Sequence, residues 1–181
     1  MADNGLKKFF NSSGFTLFEM LVTMSIMSFL AATLIIYSHI GEKQIVLFKE
    51  QARVLSLLTR ARNLGITSFI KAGANPLPCG YGAHFETPRT MIIFEDRAIN
   101  PDCSDADRRY SGPAEVFESS TLDSAVFFSA LTLSDVAFVP PQPLVFITPS
   151  QDQAVITLTT SGSNPVSASV TVSTANQISV Q

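Results

Sequence analysis

The hydrophobic pattern of the chain begins abruptly and is unbroken for more than five helical turns. From Phe15 to Ile36 there are 22 residues with one formal charge, no glycine and no proline. Leu17, Leu21, Val22, Ile26, Phe29, Leu30, Leu34 and Ile35 put apolar side chains on every side of a helix, the pattern of a helix surrounded by non-polar material. At about 1.5 Å per residue the run covers the roughly 30 Å hydrocarbon layer of a bilayer. Past Gly41, a soft point at about 1 kcal/mol relative to alanine, the pattern becomes one-sided. Ile45, Phe48, Ala52, Leu55, Leu58 and Ala61 recur at three- and four-residue spacing, while Lys43, Lys49, Glu50, Arg53, Arg60 and Arg62 fall mostly elsewhere. This predicts an amphipathic continuation whose stripe packs on the chain's own sheet, fraying from Gly65 to Gly73.

From Asn75 the period changes. Pro76 and Pro78 stop any helix. Thr90–Phe94, Ala125–Phe128 and Pro143–Ile147 read as strands rich in β-branched and aromatic residues, and Ala154–Thr159, Val166–Val172 and Gln177–Val180 alternate apolar and polar positions. Ser161–Pro165 is a turn, so the last three strands form an antiparallel meander closing on a short terminal strand. The predicted architecture is α+β: a long N-terminal helix, membrane-spanning in its first half and amphipathic in its second, packed on an antiparallel β-sheet head. Its segments are residues 1–14, a leader; 15–40, the span; 41–72, the amphipathic continuation; and 73–181, the head.

Charge orients this arrangement. Lys7 and Lys8 precede the span against Asp3, which holds that end in the cytoplasm and sends the head across the membrane. From Lys71 onward 5 basic residues face 11 acidic ones, a net charge of about −6. That is the wrong sign for contact with a phosphate backbone, and argues against nucleic acid as a partner.

The one charge in the apolar run is Glu19, which calls for a reason because a carboxylate in hydrocarbon is costly. Gly14-Phe15-Thr16-Leu17-Phe18-Glu19-Met20-Leu21-Val22 resembles the processing and assembly signature of type IV pilins and type II secretion pseudopilins, with Phe18 a mild departure where an aliphatic residue is commoner. The resemblance implies cleavage by prepilin peptidase between Gly14 and Phe15, N-methylation of Phe15, and assembly through Glu19. Cutting ahead of the apolar run leaves the helix on the mature protein, unlike removal of a secretory signal. The freed ammonium of Phe15 on one subunit would then neutralise Glu19 on the next, since a pair of buried charges costs far less than each alone.

A second resemblance concerns the head. Leu55-Ser56-Leu57-Leu58-Thr59-Arg60-Ala61-Arg62, Cys79-Gly80-Tyr81-Gly82-Ala83-His84-Phe85 and Ile92-Ile93-Phe94-Glu95-Asp96 are similar to GspH/FimT-like minor pseudopilins. Together the resemblances imply a pilin fold and a minor pseudopilin of a type II secretion system or a minor pilin of a type IV pilus. They place it in the inner membrane with the head exported, partnered by other pilins or pseudopilins, prepilin peptidase, an inner-membrane assembly platform and membrane lipid. The competing class is a single-span anchored binding module that never polymerises.

Two head features carry further chemistry. Cys79 and Cys103 are the only cysteines, and an exported location favours a disulfide over two buried thiols, worth roughly 3 kcal/mol for a loop of that length. Asp96, Asn100, Asp102, Ser104 and Asp107 fall at spacings resembling a calcium loop of the EF-hand kind. Ala98 and Pro101 break that pattern, and Arg97, Arg108 and Arg109 offer the acids salt-bridge partners, so a solvated acidic loop is the favoured account and no other cofactor is expected. His39 and His84 lack a Ser, Cys or carboxylate at a catalytic spacing, and the chain has no nucleotide loop, zinc pattern or Gly-x-Ser-x-Gly. The expectation is a structural subunit and not an enzyme.

Overall fold

The computed structural model describes residues 15–70, 78–98, 100, 103–140 and 144–181. The chain divides between Gly41 and Glu42 into two units. Helix α1 runs from Leu17 to Ile70. In the first unit its apolar side chains are exposed, from Leu17 at 85% to Leu34 at 70%. The stretch Leu17–Ile35 is long and apolar enough to cross a membrane, with a mean hydropathy of 1.8. Three of its hydroxyls turn inward on the helix: Thr23, Ser25 and Thr33 donate to the carbonyls of Met20, Leu21 and Leu30. Such back-bonding leaves those side chains with no need of water.

Among its described residues the second unit holds nine antiparallel strands in two sheets. Strands β1 (Gly80–Glu86), β2 (Thr90–Asp96), β3 (Val116–Thr121), β5 (Asp135–Val139) and β6 (Leu144–Thr148) form the first, in the order β3-β2-β1-β5-β6. Strands β4 (Val126–Leu131), β7 (Gln153–Thr160), β8 (Ser167–Ser173) and β9 (Ile178–Val180) form the second, in the order β4-β7-β8-β9. The meander β7-β8-β9 is the one expected from the alternation of Ala154, Ile156 and Leu158 inward with Val155 and Thr157 between them. Val126, Phe128, Ile156, Leu158, Val170 and Val172 of the second sheet share one core with Ala83, Phe85, Met91, Ile93, Val136 and Phe138 of the first. Phe85 and Phe128 join the two sheets edge to face at 5.8 Å.

The helix closes this core with a stripe that shares only Leu58 and Ala61 with the one periodicity suggests. Leu47, Val54, Leu57, Leu58 and Ala61 are buried in it, whereas Ile45 is 69% and Phe48 60% exposed. Both faces carry apolar residues. What hid the packing face is that it also contains Glu50 and Gln51, buried polar residues that read as solvent-facing. Gln51 Nε2 donates to the carbonyls of Ser169 and Gln181, locking the helix to the paired ends of β8 and β9. Further along, Arg53 donates to the Thr121 carbonyl and Arg60 pairs with Glu118 of β3 at 2.8 Å.

The expected fraying at Gly65 does not occur, and the helix continues to Ile70. Gly65 is buried against β5, where a methyl group would lie 2.9 Å from the Phe138 carbonyl oxygen. Glycine here permits close approach of helix and strand, which offsets its weak helix propensity.

Strands β1, β2 and β5 are buried on both faces. On the face away from the core, cross-strand pairing makes the row Phe94–Gly82–Ala137–Phe146, and the Phe94 ring lies over Gly82. The two small residues leave room for the flanking aromatics. A methyl group on Gly82 would come within 2.6 Å of Phe94 ring atoms and the Val136 carbonyl oxygen. Gly82→Ala is therefore expected to destabilise the unit by about 1–3 kcal/mol through overpacking. Gly112→Ala gives the contrast, because its site is open and only its positive φ of 144° resists a side chain. Thermal unfolding of both variants in detergent checks the pair, Gly82→Ala being expected to melt lower.

Candidate functional site

The first site is the start of the span. Phe15 and Thr16 precede the helix, which begins at Leu17. The Thr16 hydroxyl oxygen accepts from the Glu19 backbone N–H at 3.2 Å. Thr16-Leu17-Phe18-Glu19 thus has the spacing of a capping box, a signal legible in the sequence but overshadowed by the apolar run. Capping fixes where the helix starts and so puts Glu19 in its first turn, where the helix dipole favours an anion. Glu19 is the one ionisable side chain between Leu17 and Ile35, and it is exposed together with Phe15, Leu17 and Phe18 around it. The cut expected after Gly14 falls at the edge of the described residues, because Met1–Gly14 lie outside them.

The second is the segment between β2 and β3, which covers the outer face of the first sheet. Cys79 and Cys103 form a disulfide that ties this segment to the head of β1, with Cα atoms 5.5 Å apart. Of the five residues with calcium-loop spacing, Asp102 lies outside the described residues. The Asn100 amide donates to Asp105 Oδ1. Asp107 accepts from the Arg109 amide and from the Ser111 hydroxyl, and Ser104 is exposed. Among the described residues no three His, Cys, Asp or Glu side chains converge as a metal would need. Arg97 pairs with Glu95 at 2.9 Å and, among the described residues, with no acid of the segment.

Asp96 stands apart. It ends β2 at 1% exposure, and among the described residues no donor meets hydrogen-bond geometry at either carboxylate oxygen, the Arg108 backbone being only a weak electrostatic partner. Burial pushes its pKa up to about 6, helped by the negative charges of Asp107 and Glu115 and opposed by the Arg108 backbone and guanidinium. A buried, unbonded carboxylate disfavours its own ionised form.

Beside it the structure makes a pairing that spacing could not show. His84 on β1 lies opposite Asp135 on β5, and its Nδ1–H donates to Asp135 Oδ1 at 2.8 Å. The Ser134 hydroxyl and the Tyr110 amide donate to the same carboxylate. Burial raises the Asp135 pKa, but these hydrogen bonds and the His84 charge outweigh it and hold the carboxyl below its ordinary value. The Tyr110 ring rests on His84 at 4.7 Å between centroids. Ser134 binds the carboxylate and not the imidazole, so the cluster fastens the covering segment to the sheet. Sequence spacing around His84 could not reveal this partner for a topological reason: 51 residues separate the pair in sequence, and adjacent strands bring them together.

Residues 10–35 match a family model described as the prokaryotic N-terminal methylation motif. No curated protein and no solved structure matches the chain. The chain therefore carries a type IV pilin-like N-terminal motif on an apolar helix followed by antiparallel sheets.

The two buried aspartates predict opposite responses to pH. Asp96 keeps its proton to about pH 6 when folded but only to 3.8 when unfolded. Between those values folding takes up a proton, so stability falls as pH rises, by a total on the order of 3 kcal/mol. Asp135 has the reverse sign: its contribution is present above pH 3.8 and is lost as pH falls through its lower folded pKa. Denaturant unfolding from pH 4 to 7 checks the Asp96 response, with a falling slope expected in the natural chain and removed in Asp96→Asn, and the Asp135 loss is expected only below pH 3.8.

Proposed function

We propose that this protein is a pilin-like structural subunit, cut after Gly14, N-methylated on Phe15 and joined to neighbours through its N-terminal helix. The match of residues 10–35 to the methylation motif carries this reading. Its finer form is a minor pseudopilin or minor pilin of the GspH/FimT-like kind, in a type II secretion pseudopilus or a type IV pilus. Prepilin peptidase, other pilins and an inner-membrane assembly platform are the partners this form requires, with the head on the exported side.

Two features of the structure support assembly over simple anchoring. An anchor needs no ionisable group, yet Glu19 sits exposed in the first turn of an apolar helix. A neighbour's Phe15 ammonium supplies the opposite charge and so sets the stacking register. In the second unit, Ile45 and Phe48 stay exposed on the side of the helix that its own sheets leave uncovered. Against a neighbouring helix they would be buried, at about 25 cal/mol per Å² of apolar surface.

Mass spectrometry of protein purified from its native membrane is expected to find methylated Phe15 as the first residue; an intact Met1 would sink the reading. Glu19→Ala is expected to insert and be processed normally while cross-linking between subunits, or recovery in sheared filaments, falls at least about tenfold, the loss of one buried charge pair.

A further inference from the structure

The covering segment ends in a feature that neither the helix nor the sheets use. Arg108 has a left-handed backbone, φ 58°, a conformation a long side chain adopts only under constraint. Its guanidinium carbon lies over the Phe146 ring, 4.0 Å from the centroid. Stacking occupies the face of the group and leaves its in-plane N–H donors at the edge, oriented for a planar acceptor. Arg109 follows directly. Both line a cleft of about 240 Å³ whose wall also includes Thr148 and Ser150.

The head's other described cations are committed. Arg89 donates to the Val126 carbonyl, and Arg97 is paired with Glu95. Among the described residues Arg108 and Arg109 form no ion pair, on a head whose net charge is about −6. Two adjacent arginines with no ion pair among the described residues, one of them stacked on an aromatic ring, form a preorganised receptor for a carboxylate. The cleft is smaller than the roughly 300–1,000 Å³ of ordinary small-molecule sites, which suits one acidic side chain and not a cofactor. Asp107 lines the same cleft, with its carboxylate engaged by Ser111 and the Arg109 amide. Its charge weighs against a dianion such as phosphate and less against a monoanion.

We propose that this cleft binds a glutamate or aspartate side chain presented by an acidic peptide segment of a partner protein, with Arg108 as a bidentate clamp and Arg109 as a second cation. The site is independent of the N-terminal motif and stands whether or not the subunit polymerises.

The test uses the full chain in detergent micelles at low salt, a fluorescein-labelled hexaglutamate peptide as probe, and anisotropy as readout. Saturable binding is expected. Arg108→Gln and Arg109→Gln should each weaken it at least about tenfold, the scale of one charge-assisted pair. Arg108→Lys should weaken it by a smaller factor, because it keeps the charge and loses the planar fork. Arg97→Gln should leave it unchanged. Melting temperatures matching the natural chain show that the variants fold, and Phe146→Leu, which removes the stack alone, gives a second route to the same loss. Absence of saturation, affinity unchanged from the natural chain in either glutamine variant, or displacement of the peptide by inorganic phosphate at lower concentration than by unlabelled hexaglutamate would each overturn the proposal.

Discussion

Double-sided burial of β1, β2 and β5 is the constraint on which the second unit depends. One helix can cover only one face of a sheet, and here it covers the face that joins the common core. The outer face, with Ile92, Phe94 and Ala137 all buried, must be closed by something else. Irregular chain does it, and irregular chain has no ladder to absorb its backbone N–H groups. The acidic residues of the segment answer that need. Asp105 takes the Asn100 backbone amide, Asp107 that of Arg109 and Glu115 that of Ser111, while Asp135 of β5 takes that of Tyr110. Of the residues whose spacing resembles an ion-binding loop, Asp107 thus serves as an acceptor for the loop's own backbone, and the Cys79–Cys103 bond anchors the segment's first half. Asp96 is the exception, buried without an acceptor role.

The parts of this fold legible in the sequence are those set by local rules. An apolar run of helix length, and the alternation of Ala154, Ile156 and Leu158, each specify an element whatever surrounds them. The unforeseen parts are set by contacts distant in sequence. Strand β3 carries Glu118, Ser119 and Ser120 with little alternation, and becomes a strand because β2 offers it an edge. Strand β5 is short, Asp135–Val139, and begins with a charge whose purpose appears only once His84 lies opposite. The same holds for the helix face, where Gln51 looks like a surface residue until two carbonyls from the end of the second sheet meet its amide.

The two ends of the molecule illustrate different ways of handling a charge. In the apolar stretch, Glu19 stands alone among apolar side chains, and the compensation proposed for it comes from a neighbouring copy. In the head, Asp135 is surrounded by donors from its own chain and is satisfied internally. A site legible from sequence is more often of the first kind, because a lone charge in hydrocarbon stands out against its neighbours. The second kind is built from residues ordinary in themselves.

The hold of Gln51 on two main-chain oxygens, together with the close seat of Gly65 on β5, has a mechanical meaning. Sliding this part of the helix along its groove by one turn, about 5.4 Å, would strip the amide from both oxygens and drive a bulkier residue into the Phe138 carbonyl. The helix is keyed to its sheets like a notched shaft. Traction applied along its axis is transmitted to the strands as shear, not dissipated as slippage.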